Sequence, residues 1–281
     1  MKFSYYPGCS LHSTGKEYGE STQAVCQALG IELVEIPDWN CCGASAGHSL
    51  NHDLAVQLSG RNLLLAQKQG LDIAVPCSAC YHNLRQADEE LKASTDKRRE
   101  LEQVTEMQFT GRVQTRHLLD VIYHEVGVDN IRKLVKKPLQ GLKAVAYYGC
   151  LITRPSHKDG FDSVEQPQSM DNLLDACGCK VMKWSYKTDC CGAGLSLPQD
   201  KIVVELVTKL INMARQSGAE CIITACPMCQ ANLEMRQDGA NFPVLYFTEV
   251  LGMALGMKDT QGWLNKHLVS TNELVGKMKI G

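Results

Sequence analysis

Short apolar runs alternate with longer segments of mixed polarity along this chain of 281 residues. Residues 2–6 and 144–148 are two such runs, each leading into a Gly-Cys pair, and both have the length and composition of buried β-strands. A segment of helical character follows each run and closes at a glycine, Gly30 in one case and Gly178 in the other. This alternation predicts parallel sheets joined by crossover helices, and therefore an α/β fold.

The same succession of elements occurs twice along the chain. The further predicted elements are strands at 31–36 and 179–184, long helices at 50–69 and 199–216, and strands at 72–75 and 221–224. An offset of 149 positions superimposes the Cys-Cys-Gly at 41–43 on the one at 190–192, and the C-x-x-C at 77–80 on the one at 226–229. We therefore predict an internal duplication.

The duplication defines the expected domains. We predict two tandem, pseudo-symmetric α/β domains, residues 1–138 and 139–281, each with a small, mainly parallel sheet and flanking helices. The linker is expected at residues 136–141. After its C-x-x-C the first half is 20 residues longer than the second, and this excess falls in a charged stretch at about 85–111. Because charges of both signs are interleaved there, we interpret the stretch as an exposed helical arm and not as a nucleic-acid surface.

Composition narrows the class of protein. A net charge of −2 and a pI near 6.4 argue against nucleic acid and anionic membranes as partners. No apolar run reaches the ~18 residues of a membrane span, and the first residues contain no apolar signal region. The expected location is the cytoplasm. Thiols are kept reduced there, which favours metal binding or catalysis over structural disulfides as the role of the cysteines.

Ten of the 14 cysteines follow one pattern in both halves, and each group lies at or near a predicted strand end. The first set is Cys9, Cys41, Cys42, Cys77 and Cys80, and the second is Cys150, Cys190, Cys191, Cys226 and Cys229. Sites in parallel sheets form beyond the carboxyl ends of the strands, so the members of each set are expected to converge. The other four, Cys26, Cys177, Cys179 and Cys221, are interpreted as small packing residues.

Five thiols in each half exceed the four ligands of a tetrahedral zinc ion, and neighbouring cysteines rarely chelate one such ion. Iron–sulfur clusters are held by thiolates, so two clusters in one chain are the preferred interpretation. The tight cysteine runs of ordinary cubane clusters are missing, which points to an unusual cluster. A zinc site that uses four of the five thiols is the alternative that the spacing leaves open.

Six motifs, spread over nearly the whole chain, resemble those of the B subunit of heterodisulfide reductase and of its bacterial relatives. They are Tyr-Tyr-Pro-Gly-Cys at 5–9, Trp-Asn-Cys-Cys-Gly-Ala at 39–44, Pro-Cys-Ser-Ala-Cys at 76–80, Tyr-Tyr-Gly-Cys at 147–150, Tyr-Lys-Thr-Asp-Cys-Cys-Gly-Ala at 186–193, and Ala-Cys-Pro-Met-Cys-Gln-Ala-Asn-Leu at 225–233. The resemblance implies a duplicated cysteine-rich protein that binds two noncubane 4Fe-4S clusters. The first set of five cysteines would hold one cluster and the second set the other.

The resemblance also implies a reaction and partners. In the methanogen enzyme the disulfide of coenzyme M and coenzyme B binds between the clusters and is reduced to two thiols. The expected partners are the C subunit, which carries iron–sulfur clusters, and the A subunit, which carries the flavin, so that FAD is expected only in a partner. Bacterial relatives act with hydrogenase, formate dehydrogenase or methylenetetrahydrofolate reductase modules, so the resemblance does not fix the acceptor.

Three further residues are candidates at the sites. His48 follows the first Cys-Cys-Gly and is a candidate proton donor, although an ordinary hydrogen bond near a helix start is the competing interpretation. Arg154 and Lys187 lie close to ligands of the second half and are candidates for binding an anionic substrate group, with surface charge as the alternative. Seven residues are inserted between Cys150 and Ser169, and the resulting loop is expected to line the substrate mouth.

The leading hypothesis is the iron–sulfur catalytic subunit of a heterodisulfide-reductase-like complex. Such a protein would be an oxidoreductase acting on a small disulfide or a related acceptor. Two alternatives remain: a non-catalytic electron-transfer or docking subunit of a flavin-based bifurcating complex, and a structural zinc module. The sequence does not identify the substrate.

Overall fold

The computed structural model describes residues 1–44, 47, 50–154, 160–196 and 198–277. Within these residues the chain forms two four-stranded sheets, with the orders β2-β1-β3-β4 and β6-β5-β7-β8. The strands are β1 Lys2–Tyr5, β2 Glu32–Glu35, β3 Ile73–Val75, β4 Thr115–His117, β5 Lys143–Tyr147, β6 Lys180–Val181, β7 Cys221–Thr224 and β8 Val244–Tyr246. Every pairing is parallel, and the two orders are identical. The predicted α/β class and the duplication are confirmed.

Helices lie between successive strands and after the last strand, β8. They are α1 Gly8–Leu11, α2 Lys16–Ala28, α3 His52–Gln69, α4 Ser78–Ala93, α5 Thr95–Thr105, α6 Leu118–Val121, α7 Val128–Leu134, α8 Ser169–Ala176, α9 Asp200–Gln216, α10 Pro227–Met235, α11 Phe247–Ala254, α12 Thr260–Leu264 and α13 Asn272–Lys277. A π-helical turn, Ile122–Val126, follows α6, and a 3-10 turn, Ala193–Leu195, precedes α9. The long helix α3 begins where the Asn51 side chain accepts the Leu54 N–H at 3.1 Å, and it ends at Gly70 with a φ of 68°.

The charged stretch at 85–111 is helical up to residue 105 except at Ser94, and its second helix lies along the first half with one buried residue, Leu101. Its second helix, α5, packs against α3 and α4 through the buried side chain of Leu101. A Cβ atom on Gly60 of α3 would come within 2.8 Å of Leu101, so the two helices are in close contact. The excess length is thus docked on the first half, with its charges on the outer face.

Helices from the two halves pack on each other. Tyr18 of α2 stacks on Tyr246 at a centroid distance of 4.1 Å, and the Ser21 hydroxyl lies 2.7 Å from that of Thr248 on α11. Helix α8 also contacts α7 of the first half, in addition to α11 of its own half. Each sheet is therefore built from the strands of one half. The hydrophobic core that the helices cover contains residues of both halves.

The four cysteines outside the repeated pattern lie in this core, as the packing interpretation expects. Cys26, Cys177, Cys179 and Cys221 are all buried. Burial raises the pKa of Cys26 and of Cys177 to about 12, so both stay as neutral thiols. They contribute apolar volume and no charge.

Candidate functional site

The two cysteine sets lie at the carboxyl edges of the two sheets. Cys9 and Cys150 follow β1 and β5, and the C-x-x-C motifs at 77–80 and 226–229 follow β3 and β7. The Cys-Cys-Gly segments come after the neighbouring strands, β2 and β6. Because β1, β2 and β3 are adjacent in one sheet, and β5, β6 and β7 in the other, three loops of each half meet at one edge.

A glycine shapes each Cys-Cys-Gly loop. Gly43 has a φ of 76° and Gly192 a φ of 81°, a region that other residues adopt only with strain. In this conformation the Gly43 N–H donates to Cys41 Sγ at 3.4 Å, and the Gly192 N–H donates to Cys190 Sγ at 3.3 Å. A backbone donor aimed at sulfur favours the thiolate, which is the form that binds metal.

A second pair of glycines makes room for the C-x-x-C cysteines. Gly8 and Gly149, with φ values of 70° and 71°, directly precede Cys9 and Cys150. A Cβ atom on Gly8 would lie 3.0 Å from Cys80 Sγ, and one on Gly149 would lie 3.1 Å from Cys229 Sγ. The chain therefore needs glycine here for its backbone conformation and also for the close approach of sulfur.

Side chains outside the cysteines tie each site together. The Asn83 amide of α4 donates to the Cys42 carbonyl at 3.2 Å, and the Asn232 amide of α10 donates to the Cys191 carbonyl at 2.7 Å. These bonds link each C-x-x-C helix to the Cys-Cys-Gly loop of its own half.

One buried tyrosine in each half holds the residue that precedes the Cys-Cys-Gly loop. The hydroxyl of Tyr6 donates to the Asn40 carbonyl, and that of Tyr147 donates to the Asp189 carbonyl, both at 2.7 Å. Each acceptor directly precedes its Cys-Cys pair. The structure thus repeats the supports of the site as well as its cysteines.

Every one of the ten cysteines contacts another member of the pattern. The Sγ atoms of Cys42 and Cys80 are 3.4 Å apart, and those of Cys150 and Cys190 are 3.7 Å apart. The remaining contacts are Cys9 with Cys41, Cys41 with Cys42, Cys77 with Cys80, Cys191 with Cys229, and Cys226 with Cys229. Cys77 also contacts Cys226 across the halves, so the two sets meet at one seam.

These contacts divide the thiols into proton donors and acceptors. Hydrogen bonds from Cys42 and Cys9 lower the pKa of Cys41 to about 2, and a hydrogen bond from Cys150 lowers that of Cys190 to about 6. The same contact with Cys41 raises the pKa of Cys42 to about 12. In the first set the thiol next to the backbone donor is thus the preferred thiolate, whereas in the second set hydrogen bonds from Cys229 also lower the pKa of Cys191 and of Cys226.

The donor set fits an iron–sulfur cluster better than a zinc ion. Zinc requires four donors at about 2.3 Å from one point. The thiols instead form an extended series of contacts along the sheet edges. All ten donors are sulfur, the ligand type that iron–sulfur clusters use.

The candidate substrate residues differ in their surroundings. Arg154 is exposed and its guanidinium lies 3.5 Å from the Glu165 carboxylate, and its charge helps to lower the pKa of Cys190. Lys187 is buried, and its ammonium donates to the Pro167 carbonyl at 2.8 Å and to Asp171 at 2.7 Å. The ammonium of Lys187 therefore joins the loop that contains Pro167 to α8. These contacts give no support to the prediction that Lys187 binds substrate.

Two predictions lie outside the described residues. His48 and the central residues of the inserted loop, 155–159, are not among the described positions, so the proton donor and the substrate mouth stay predictions. The inserted loop is described at its two ends, residues 153–154 and 160–168.

Sequence reasoning missed a histidine at the seam. His117 ends β4, its Nδ1 accepts the Leu119 N–H at 3.1 Å, and its ring meets Tyr81 edge-on. Burial lowers its pKa to about 4, so the ring is neutral, and its Nε2 is directed to the Ala225 carbonyl without a well-formed hydrogen bond. Its counterpart in the second half is Tyr246, which the repeat offset of 129 would have revealed.

Comparisons with known proteins agree with this geometry. The model of the CCG cysteine-rich domain family matches residues 3–85 and again residues 144–234. The 8-methylmenaquinol:fumarate reductase membrane anchor subunit of Wolinella succinogenes is 31% identical over 282 residues, which cover 97% of this chain and 99% of that protein. The B subunit of the ferredoxin/F(420)H(2)-dependent CoB-CoM heterodisulfide reductase of Methanosarcina acetivorans is 28% identical over 294 residues, 99% of this chain and 97% of that one.

A solved structure shares the fold. The crystal structure of a hypothetical protein from Helicobacter pylori superimposes with a TM-score of 0.72 at 14% identity, and covers 96% of this chain and 52% of that chain. At this identity the likeness concerns the fold alone. Among the described helices, none has the length and apolarity that crossing a bilayer requires.

Proposed function

This chain belongs to the family of CCG cysteine-rich domain proteins that includes the B subunit of heterodisulfide reductase, and we propose that it is the iron–sulfur protein at which a disulfide or a related acceptor is reduced. The observation that carries the proposal is the meeting of two five-cysteine sets at one seam, through Cys77 and Cys226. Reduction of one S–S bond takes two electrons, so two neighbouring sites suit it.

In this proposal each set holds one 4Fe-4S cluster of the noncubane type. Cys9, Cys41, Cys42, Cys77 and Cys80 hold the first, and Cys150, Cys190, Cys191, Cys226 and Cys229 hold the second. When bound, each cluster supplies one electron and a Lewis-acidic iron that can stabilise a departing thiolate.

The exposure of the cysteines gives each site an outer and an inner side. Cys9, Cys41 and Cys190 are exposed, whereas Cys77 and Cys226 are buried. An acceptor or a donor protein can thus approach the outer side, and water is excluded from the inner side. Exclusion of water strengthens every electrostatic interaction at the seam.

Arg154 acts on Cys190 at the outer side of the second site, where its charge helps to lower the pKa of the thiol. We therefore assign to Arg154 the binding of an anionic group of the acceptor, such as a carboxylate, sulfonate or phosphate. Its pairing with Glu165 at 3.5 Å is exposed and can be exchanged for such a group at little cost.

A second candidate function is electron transfer in a subunit that docks other proteins and has no acceptor site of its own. The similarity to a fumarate reductase anchor subunit favours it, because the name of that relative assigns it an anchoring role. In either case we propose two partner proteins, one that carries further iron–sulfur clusters and one that carries the flavin, FAD.

Addition of disulfides to the reduced protein separates the two functions. We expect thiol release from a small anionic disulfide, together with reoxidation of the cluster spectrum, in the anaerobically purified chain. Arg154→Gln should weaken binding of the anionic disulfide about tenfold and leave a neutral disulfide unaffected, since one charged hydrogen bond is lost. A cluster spectrum that no disulfide perturbs would favour the docking function.

A further inference from the structure

The amide of Asn83 reaches the sulfur of a cysteine in the first set as well as its carbonyl group. The amide nitrogen lies 3.2 Å from the Cys42 carbonyl oxygen and 3.8 Å from Cys42 Sγ. Because a carbonyl oxygen can only accept, it is the nitrogen end of the amide that faces Cys42. An amide has two N–H donors, so Asn83 can serve the oxygen and the sulfur at once. The side chain is buried, and water does not compete for these contacts.

The equivalent asparagine of the second half has different partners. Asn232 is the counterpart of Asn83 at the repeat offset of 149. The hydrogen bonds that the structure describes for Asn232 join its nitrogen to the Cys191 carbonyl at 2.7 Å and its oxygen to the Ser196 hydroxyl at 3.1 Å. The Asn232 amide is thus drawn close to the carbonyl, whereas the Asn83 amide is shared between a carbonyl and a sulfur.

A serine of α3 accounts for the sharing in the first half. The hydroxyl of Ser59, a buried residue, donates to the Cys42 carbonyl at 3.1 Å. This oxygen therefore has two donors, one from Ser59 and one from Asn83. The Asn83 amide bonds to it at the longer of the two asparagine distances and is left within reach of the sulfur.

The position of this serine is occupied by an apolar residue in the second half. Leu58, which precedes Ser59, would contact a Cβ atom on the glycine of the first Cys-Cys-Gly loop, and Leu206 of α9 would contact one on the glycine of the second. The offset between these two helices is therefore 148, and Val207 takes the place of Ser59. Val207 is buried and has no hydroxyl, so the second carbonyl is left to Asn232.

A hydrogen bond to a ligand sulfur changes the energy of an iron–sulfur site. Such bonds are among the features that set the reduction potential of a cluster, because they offset the negative charge that an added electron brings. The sulfur that holds iron is a thiolate, and hydrogen bonds to ionised acceptors are roughly twice as strong as those between neutral groups. Low dielectric in a buried region strengthens them further.

We propose that Asn83 is a positioning residue that donates a hydrogen bond to the Cys42 thiolate and thereby raises the midpoint potential of the first site, an inference that rests on the proposed function. The 3.8 Å contact with Cys42 Sγ supplies the geometry, and the 3.2 Å bond to the Cys42 carbonyl holds the amide in place. Asn232 makes no such contribution to the second site, because its amide serves the Cys191 carbonyl. The first site consequently holds its electron more firmly than its cysteines alone would allow.

A redox titration of the holoprotein with a low-potential donor, followed by EPR, tests the proposal. The signal of the first site is identified by its change in Cys41→Ser. Asn83→Leu keeps the size of the side chain and removes the donor. We expect reduction of the first site to become about tenfold less favourable in this variant, which corresponds to a midpoint potential about 59 mV lower for a one-electron couple.

Asn232→Leu is the matched control. It removes the 2.7 Å bond to the Cys191 carbonyl, so it reports what the loss of carbonyl support alone does to a site. We expect the potential of the second site to stay unchanged in this variant. Equal falls in the two variants would mean that the carbonyl bonds set the potential, and this result overturns the proposal. An unchanged first-site potential in Asn83→Leu overturns it as well.

Pulsed EPR of the natural protein, labelled with nitrogen-15 in the side-chain amides of asparagine, provides a reading that does not depend on the folding of a variant. A coupling between the first-site signal and an amide nitrogen, lost in Asn83→Leu, supports the proposal. Absence of the coupling in the natural protein overturns the proposal and leaves the proposed function intact. A chain that binds no iron overturns both, whereas clusters whose electrons no disulfide accepts overturn the function alone.

Discussion

Gly8 and Gly149 are the residues at which backbone conformation and the cysteine sites depend on each other most directly. Both have positive φ values, and both leave only about a Cβ-sized gap to a cysteine sulfur. Gly30 has a similar φ of 74° but nothing within 4 Å of its Cβ position. A substitution at Gly30 therefore tests backbone strain alone, whereas one at Gly8 adds a clash with the cysteine sulfur.

We predict that Gly8→Ala and Gly30→Ala each destabilise the chain by roughly 1 kcal/mol, the usual cost of the left-handed conformation. Only Gly8→Ala should also lower the iron content, because its methyl group displaces Cys80 Sγ. Urea denaturation and iron analysis of both variants measure the two effects. Equal iron content in both variants would contradict the account of this contact.

The residues found from sequence are those that the duplication shows twice. The ten cysteines have the same order in both halves, whereas His117 and His267 have no histidine at the corresponding position of the other half. A single buried histidine among apolar residues resembles any surface histidine until its neighbours are known. His267 is recognised only because α10 and α11 bring Glu234 and Glu249 to it.

At the scale of elements, strand prediction succeeded where the apolar run is long enough to be recognised. The strands that lead into Cys9, Cys150 and the two C-x-x-C motifs are present, with ends shifted by about one residue. The fourth strand of each sheet was not predicted, and in the first half its three residues, Thr115, Arg116 and His117, form no apolar run that could indicate a strand.

The predicted strand at 179–184 contracts to Lys180–Val181. The Trp184 indole N–H donates to the Ala146 carbonyl at 2.9 Å, so a side chain takes the place of the continuing ladder. The pattern of hydrophobic residues cannot predict that this tryptophan side chain replaces a backbone hydrogen bond, so the end of the strand was misplaced.

His267, in the segment after α12, pairs with Glu234 of α10. Because this pair needs a charged imidazole, the stability of the folded chain should depend on pH. The pKa of His267 is about 10 in the folded chain and about 6.5 when unfolded. Its contribution is therefore fully present below pH 6.5 and is lost as the pH rises to about 10.

We predict that the free energy of unfolding of the natural protein falls between pH 7 and 10 more than that of His267→Gln. At pH 7 the substitution should cost about 3 kcal/mol, since it leaves two buried carboxylates without their cation. Urea midpoints of both proteins over this range provide the measurement. Parallel curves would show that His267 is not charged in the fold.

At the scale of the whole molecule, the halves share one core although each has its own sheet. The packing of α2 on α11 and of α8 on α7 could not be predicted from the repeat, because a repeat describes what each half contains and not how the halves meet. The contact between Cys77 and Cys226 depends on this packing.

We predict that the apoprotein unfolds in a single transition, with a calorimetric enthalpy equal to the van't Hoff enthalpy. The shared core makes it unfavourable for one half to unfold alone, because Tyr18 and Tyr246 would lose each other as packing partners. Differential scanning calorimetry decides this point. Two separate transitions would mean that the halves are independent domains.

The central claim is that two five-cysteine sets hold two clusters that meet at one seam. Iron, acid-labile sulfide and zinc analysis of the anaerobically purified chain tests it most directly, with Cys177→Ala as a control for cysteines that only pack. We predict about eight irons and about eight sulfides per chain in the natural protein and in the control. Stoichiometric zinc without iron would contradict the account.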